Sequence, residues 1–96
     1  MKDLLKDLNK AFENKIRLGI MSALMVNEYM DFNSLKELLE VTDGNLASHL
    51  KSLEKSGYVT VRKEFFNRKP NTRYYATETG KEDFIRHIRA IERLLE

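Results

Sequence analysis

The chain has 96 residues, 42 % of them apolar and 33 % charged, with 17 basic and 15 acidic side chains and a formal net charge of +2. That length suits one domain with a real core, and the composition is globular rather than disordered. The absence of cysteine excludes disulfides and thiolate metal sites and suits the reducing cytoplasm. No apolar run approaches the ~20 residues of a membrane-spanning helix, and a secretory signal is not expected.

Four glycines and one proline in the whole chain predict that helix dominates. Leu4, Leu5, Leu8, Ala11 and Phe12 recur at helical spacing and predict an amphipathic helix over residues 3–12. Asn14 is a cap candidate for a second helix over residues 15–28. Ile16, Ile20, Ala23 and Leu24 form one face of it and Leu18, Met21 and Met25 another; a helix apolar on two sides belongs at the centre of a fold. "EYMDF" reads as a short extended link, after which Asn33 or Ser34 caps a short helix carrying Leu35, Leu38 and Leu39. "VTDGN" interrupts, and Thr42 or Asp43 caps a further helix, residues 43–56, with Leu46, Leu50 and Leu53 along one face. Gly57 ends it as the left-handed residue, with Tyr58 as its hydrophobic partner. Two helices joined by a short turn containing a glycine match a helix-turn-helix in spacing.

From Tyr58 to Phe65 the period changes to two, and Val59 and Val61 alternate with Thr60 and Arg62 as in a strand. "NRKPN" reads as the turn, because Pro70 lacks a donor, and "TRYYA" resumes the strand pattern to complete a hairpin. Strand alternation lets only one of Phe65 and Phe66 pack inward, and one is expected to do so. Thr77 or Thr79 caps a last helix on which Phe84, Ile88, Ile91 and Leu95 form a stripe. The fold class is therefore mainly α with a small β hairpin, an α+β arrangement. The stripe together with Leu4, Leu5, Leu8 and Phe12 makes the terminal helices, residues 3–12 and 78–95, the expected homodimer interface.

The segments "NKIRLGIMSALM", "FNSLKELLEVTDGNLASHLKSLEKSGYV" and "RKPNTRYYATETGKEDF" resemble the winged-helix DNA-binding domains. The likeness is to the small bacterial and archaeal transcriptional regulators related to the MarR and ArsR groups, over about residues 12–90. It implies a winged helix-turn-helix fold, recognition of double-stranded DNA by the helix after the turn, a wing that touches backbone or minor groove, and in most cases a dimer.

Charge supports the same assignment independently. Arg62, Lys63, Arg68, Lys69 and Arg73 stand against the single acid Glu64, so the net positive charge comes entirely from this stretch, the expected wing of residues 62–73. A compact basic hairpin gains affinity by releasing counterions from phosphates. Arg68, Lys69 and Arg73 are the phosphate candidates, with Asn67, Asn71 and Thr72 as neutral neighbours. With the leucines inward, Gly44, Ser48, Lys51 and Lys55 face outward, and Asn45 and Ser52 lie to one side. Asn45, Ser48 and Ser52 suit base edges, and Lys51 and Lys55 suit phosphates. Ser34, Thr42 and His49, at two helix starts and at the edge of the leucine face, complete the candidate set; for His49 packing and base contact both stand open.

No catalytic constellation appears, and no cofactor is implied. Asp83 and His87 form half of a metal site with no second pair of ligands, so no metal is expected. The alternatives to a DNA-binding regulator are a winged-helix protein-interaction module, which has no need of a basic wing, and a ligand- or metal-sensing regulator. Any small-molecule effector is unidentified by the sequence.

Overall fold

In the computed structural model, which describes residues 2–96, the elements run in order α1 (Lys2–Leu5), a 3-10 turn (Lys10–Phe12), α2 (Lys15–Val26), β1 (Met30–Asp31), α3 (Phe32–Leu39), α4 (Asp43–Lys55), β2 (Val59–Phe66), β3 (Lys69–Ala76) and α5 (Glu78–Arg93). The helix starts follow side-chain capping. Asn14 Oδ1 accepts from the Ile16 and Arg17 N–H groups, Thr42 Oγ1 from Asn45 N–H, and Thr77 Oγ1 from Gly80 N–H. At the end of α4, Gly57 takes φ 79°, Tyr58 N–H donates to Leu53 O and Gly57 N–H to Glu54 O. This closing pair of bonds needs a left-handed residue, which glycine adopts without a Cβ penalty.

The core gathers Phe12, Ile20, Met21, Leu24, Leu35, Leu46, Leu50, Leu53, Val59 and Phe84 around α2, the helix expected at the centre. Each such side chain taken fully out of water contributes about 1.5–3 kcal/mol. Phe12 is the hub: its ring lies 5.1 Å from Tyr58, 5.2 Å edge-on from Phe84 and 5.6 Å from His87. Gly80, at the start of α5, rests against the Tyr58 carbonyl so closely that a Cβ there would collide with it. No helix among the described residues is long and apolar enough to cross a membrane.

Six local expectations change. The helix predicted over residues 3–12 is broken, because Asn9 is held extended: its N–H donates to His87 Nδ1 at 3.0 Å and its side chain caps the 3-10 turn through Ala11 N–H. Part of "EYMDF" is not a link but β1, which pairs with β3 at Met30–Tyr74 and Asp31–Arg73 and gives a three-stranded antiparallel sheet in the order β1-β3-β2. Asp31, rather than Asn33 or Ser34, caps α3, accepting Ser34 N–H at 2.8 Å. Leu38, expected on the apolar face of α3, is exposed, while Leu35 is buried.

The fifth change is the turn. It consists of Asn67 and Arg68 alone, at φ 51° and 66°, the paired positive values of a type I′ hairpin turn whose twist matches the strands. Pro70 lies within β3 opposite Phe65. In a two-residue hairpin the pair next to the one closing the turn is not hydrogen-bonded, so the missing Pro70 donor faces the open edge beyond β1. Neither phenylalanine packs: Phe65 is 78 % and Phe66 62 % exposed, on opposite faces of a hairpin that has run past the helical body.

Candidate nucleic-acid interface

The outward surface of α4 follows from its leucines. Leu46, Leu50 and Leu53 are buried, and Gly44, Asn45, Ser48, Lys51, Ser52 and Lys55 are all exposed. These are short polar groups and two flexible cations on one side of a capped helix, with no bulky apolar residue among them. Asp43, in the first turn, is held by Lys36 at 2.8 Å. Thr42 spends its hydroxyl on the cap, and Ser34 is exposed in the first turn of α3. A cleft lined by Lys15, Ile16, Val41, Thr42 and Asn45 brings the start of α2 beside the start of α4.

His49 lies on the flank of α4 that faces α2. Arg17 Nη1 meets its Nδ1 at 3.0 Å, while Arg17 Nε donates to Ala11 O at 2.6 Å. Partial burial, with the guanidinium beside it, pushes the His49 pKa below its ordinary value, so the ring is held neutral.

The hairpin sorts its charges by face, because cross-strand partners project to the same side of a sheet. Val59, Val61, Tyr74 and Ala76 share the side toward the helices, continued outward by Lys63, Phe65, Pro70 and Thr72. The other side carries Arg62, Lys69, Asn71, Arg73 and Tyr75. There the Arg62 guanidinium lies 4.8 Å from the Tyr75 ring, Tyr75 lies 5.6 Å from Tyr29, and Arg73 lies 4.4 Å from Tyr29. Two of the five wing cations are thus spread on aromatic faces.

Arg73 is committed further. Its Nε donates to Asn71 Oδ1 at 2.8 Å, and Asn71 Nδ2 donates to Asp31 Oδ2 at 3.3 Å. The Asp31 carboxylate therefore serves the α3 cap with one oxygen and the hairpin with the other, tying the helix-turn-helix to the wing. Its pKa is lowered chiefly by the Ser34 N–H, with Asn71 and Arg73 adding to the effect against partial burial. Asn71 and Arg73, expected as free contact groups, are half-buried parts of this brace. Lys63, Arg68 and Lys69 are exposed and form no salt bridge among the described residues.

At the opposite end, Phe12 and Phe84, expected on a dimer surface, are 1 % and 5 % exposed and spend their area inside their own chain. Ile88 is half-buried against the same core. Leu4, Leu5, Ile91, Leu94 and Leu95 remain exposed where α1 meets the end of α5, with Leu95 at 87 %. Asp83 and His87 turn to different partners, Asp83 accepting from Tyr58 Oη at 2.8 Å and His87 from Asn9.

A family model described as a winged helix DNA-binding domain matches residues 16–95. The chain belongs to this family. An uncharacterized protein of Methanocaldococcus jannaschii is 39 % identical to this winged-helix chain over 85 residues, spanning 88 % of it and 92 % of the relative. The solved structure of a transcriptional regulator homologue from Pyrococcus horikoshii superposes with a TM-score of 0.86 at 31 % identity, covering 98 % of this chain and 91 % of that one. The solved structure of HlyU from Vibrio cholerae superposes with a TM-score of 0.68 at 26 % identity, covering 97 % of this chain and 92 % of that one. The winged-helix fold, with five helices and a three-stranded sheet, is thus that of MarR-like transcriptional regulators.

In this winged-helix frame α4 takes the place of the helix after the turn and the β2–β3 hairpin that of the wing. The residues that reading along the chain missed are those acting across elements. Asp31 was legible as a cap, since it stands three residues before Ser34. The roles of Arg17, Tyr29 and Tyr75 carry no local signal, because their partners are remote in sequence or set by strand register.

Proposed function

We propose that this protein is a homodimeric, sequence-specific double-stranded DNA-binding transcriptional regulator. The observation that carries the reading is the exposed polar surface of α4, from Gly44 to Lys55, standing beside a basic hairpin whose Lys63, Arg68 and Lys69 have no acidic partner among the described residues. Asn45, Ser48 and Ser52 read base edges in the major groove, Lys51 and Lys55 hold flanking phosphates, and Gly44 leaves the helix start open for close approach. Arg68, Lys69 and Lys63, with Asn67 and Thr72 beside them, supply the wing's electrostatic anchor. Asn71 and Arg73 set its angle. The membership of the family and the likeness to solved regulators support the same conclusion.

Dimerisation buries the apolar patch of Leu4, Leu5, Ile91, Leu94 and Leu95 against a second copy, while Leu8 is already half-buried in its own chain. A two-fold dimer places two α4 helices in successive major grooves about 34 Å apart and predicts a palindromic site. On this reading the protein acts in the cytoplasm. Selection of bound duplexes from random DNA at physiological salt tests the proposal: enrichment of a palindrome is expected. Recovery of unselected sequence, or of no DNA, would favour the interaction-module reading, for which exposed Phe65 and Phe66 are the natural contact groups.

A further inference from the structure

Arg17 donates to three groups in two parts of the fold: Ala11 O and, at 3.5 Å, Lys10 O in the 3-10 turn, and His49 Nδ1 on α4. A guanidinium has five donors and no acceptor, and it stays charged at every pH a protein tolerates. The 3.0 Å contact therefore admits one arrangement, with Nδ1 as acceptor. A neutral imidazole with Nδ1 accepting carries its proton on Nε2. Nε2 meets no hydrogen-bond partner among the described residues, and His49 is half-exposed on α4. At about 100° per residue, its side chain lies at the edge of the polar face, about 40° from Asn45 and about 60° from Ser52 on one side, with the buried Leu53 and Leu46 on the other.

We propose that Arg17 is a positioning residue for DNA recognition: it fixes the ring and tautomer of His49 so that Nε2–H is presented as a donor to a base acceptor in the major groove. The acceptors of matching chemistry are purine N7, guanine O6 and thymine O4. The inference rests on the DNA-binding reading and deepens it, adding from α2 a residue that shapes specificity without touching DNA. The lowered pKa of His49 agrees, since a proton on Nδ1 would face the guanidinium. Arg17 escapes a reading along the chain because His49 lies 32 residues away.

Two measurements on the full chain test this. Long-range proton–nitrogen NMR of the free protein at pH 7.5 is expected to show the Nε2–H tautomer in the wild type and a mixture in Arg17→Lys, which keeps the charge but loses the fork. An Nδ1–H wild type overturns the proposal without reference to DNA. In the second, binding to every single-base-pair variant of the selected site is compared for wild type, Arg17→Lys, His49→Ala and the double variant. One position is expected to discriminate by about tenfold in the wild type, the scale of a single hydrogen bond left unmade. Both single variants should flatten that position and no other, and the double variant should lose nothing more. His49→Gln, whose amide donor needs no tautomer, should keep discrimination in the Arg17→Lys background. Equal loss on every sequence, with a reduced salt slope, would make Arg17 a phosphate contact. Loss of thermal stability with discrimination intact would make it a brace for the 3-10 turn. Either result overturns the inference while leaving the DNA-binding reading standing, whereas a wild type that selects no duplex overturns both.

Discussion

Arg68 occupies the second position of the type I′ turn at φ 66°, where glycine is the favoured residue. An L-residue held left-handed costs about 1–2 kcal/mol, and glycine would forfeit about 0.5–1 kcal/mol of that gain through its larger unfolded-state entropy. Arg68→Gly is therefore expected to stabilise the protein by about 0.5–1 kcal/mol, raising the melting temperature by roughly 2–8 °C. The same change removes one exposed wing cation. Each phosphate contact contributes about 0.9 to the slope of log affinity against log salt, so two wings per dimer should lose about 1.8 units. Over a fourfold rise in salt, from about 50 to about 200 mM, the wild-type advantage should shrink by about 12-fold. Thermal melting and fluorescence anisotropy on one duplex at several salt concentrations read both quantities. A higher melting temperature with an unchanged slope would refute the phosphate role. A lower melting temperature would refute the turn geometry. No loss of hairpin structure can imitate the expected pair of results, because the variant gains stability as it loses affinity.

The remaining predictions concern the body of the fold. Gly80→Ala drives a Cβ into the Tyr58 carbonyl, which already accepts Thr77 N–H at 3.0 Å; a loss of about 1–3 kcal/mol is expected in urea unfolding, and an unchanged midpoint would contradict the packing. Burial pushes the pKa of His87 below its ordinary 6.5, partly offset by Glu13 and the Phe12 carbonyl. The unfolded chain then binds the proton first, so stability should be full above about pH 6.5 and fall as pH drops toward the folded pKa. His49 acts in the same direction. His87→Asn, which retains an acceptor for Asn9 N–H, should flatten the melting profile between pH 7.5 and 5.5, and an undiminished pH dependence would remove His87 as its source. Leu95→Glu, at a position 87 % exposed, should leave melting of the fold intact but give monomers in sedimentation; a surviving dimer moves the interface elsewhere.

What the sequence determined by itself was everything closed within a few residues. Asn14, Thr42 and Thr77 cap their helices because each oxygen reaches an N–H two or three positions on, and Gly57 ends α4 through bonds to Glu54 and Leu53. The leucine period of α4 settled which of its residues face outward. The identity of the basic hairpin was equally legible, since its charges are contiguous. Tertiary structure alone decided how those charges are used. Arg62 and Arg73 look like Arg68 and Lys69 in a string of letters, yet register sets the first pair over Tyr75 and Tyr29 and leaves the second pair in solvent. It also decided that Phe12 and Phe84 fill the core while Leu95 stays bare, that Asn9 breaks the first helix, and that Arg17 meets His49. In each case the deciding partner lies far along the chain, and a local pattern records a side chain's chemistry but not the surface it meets.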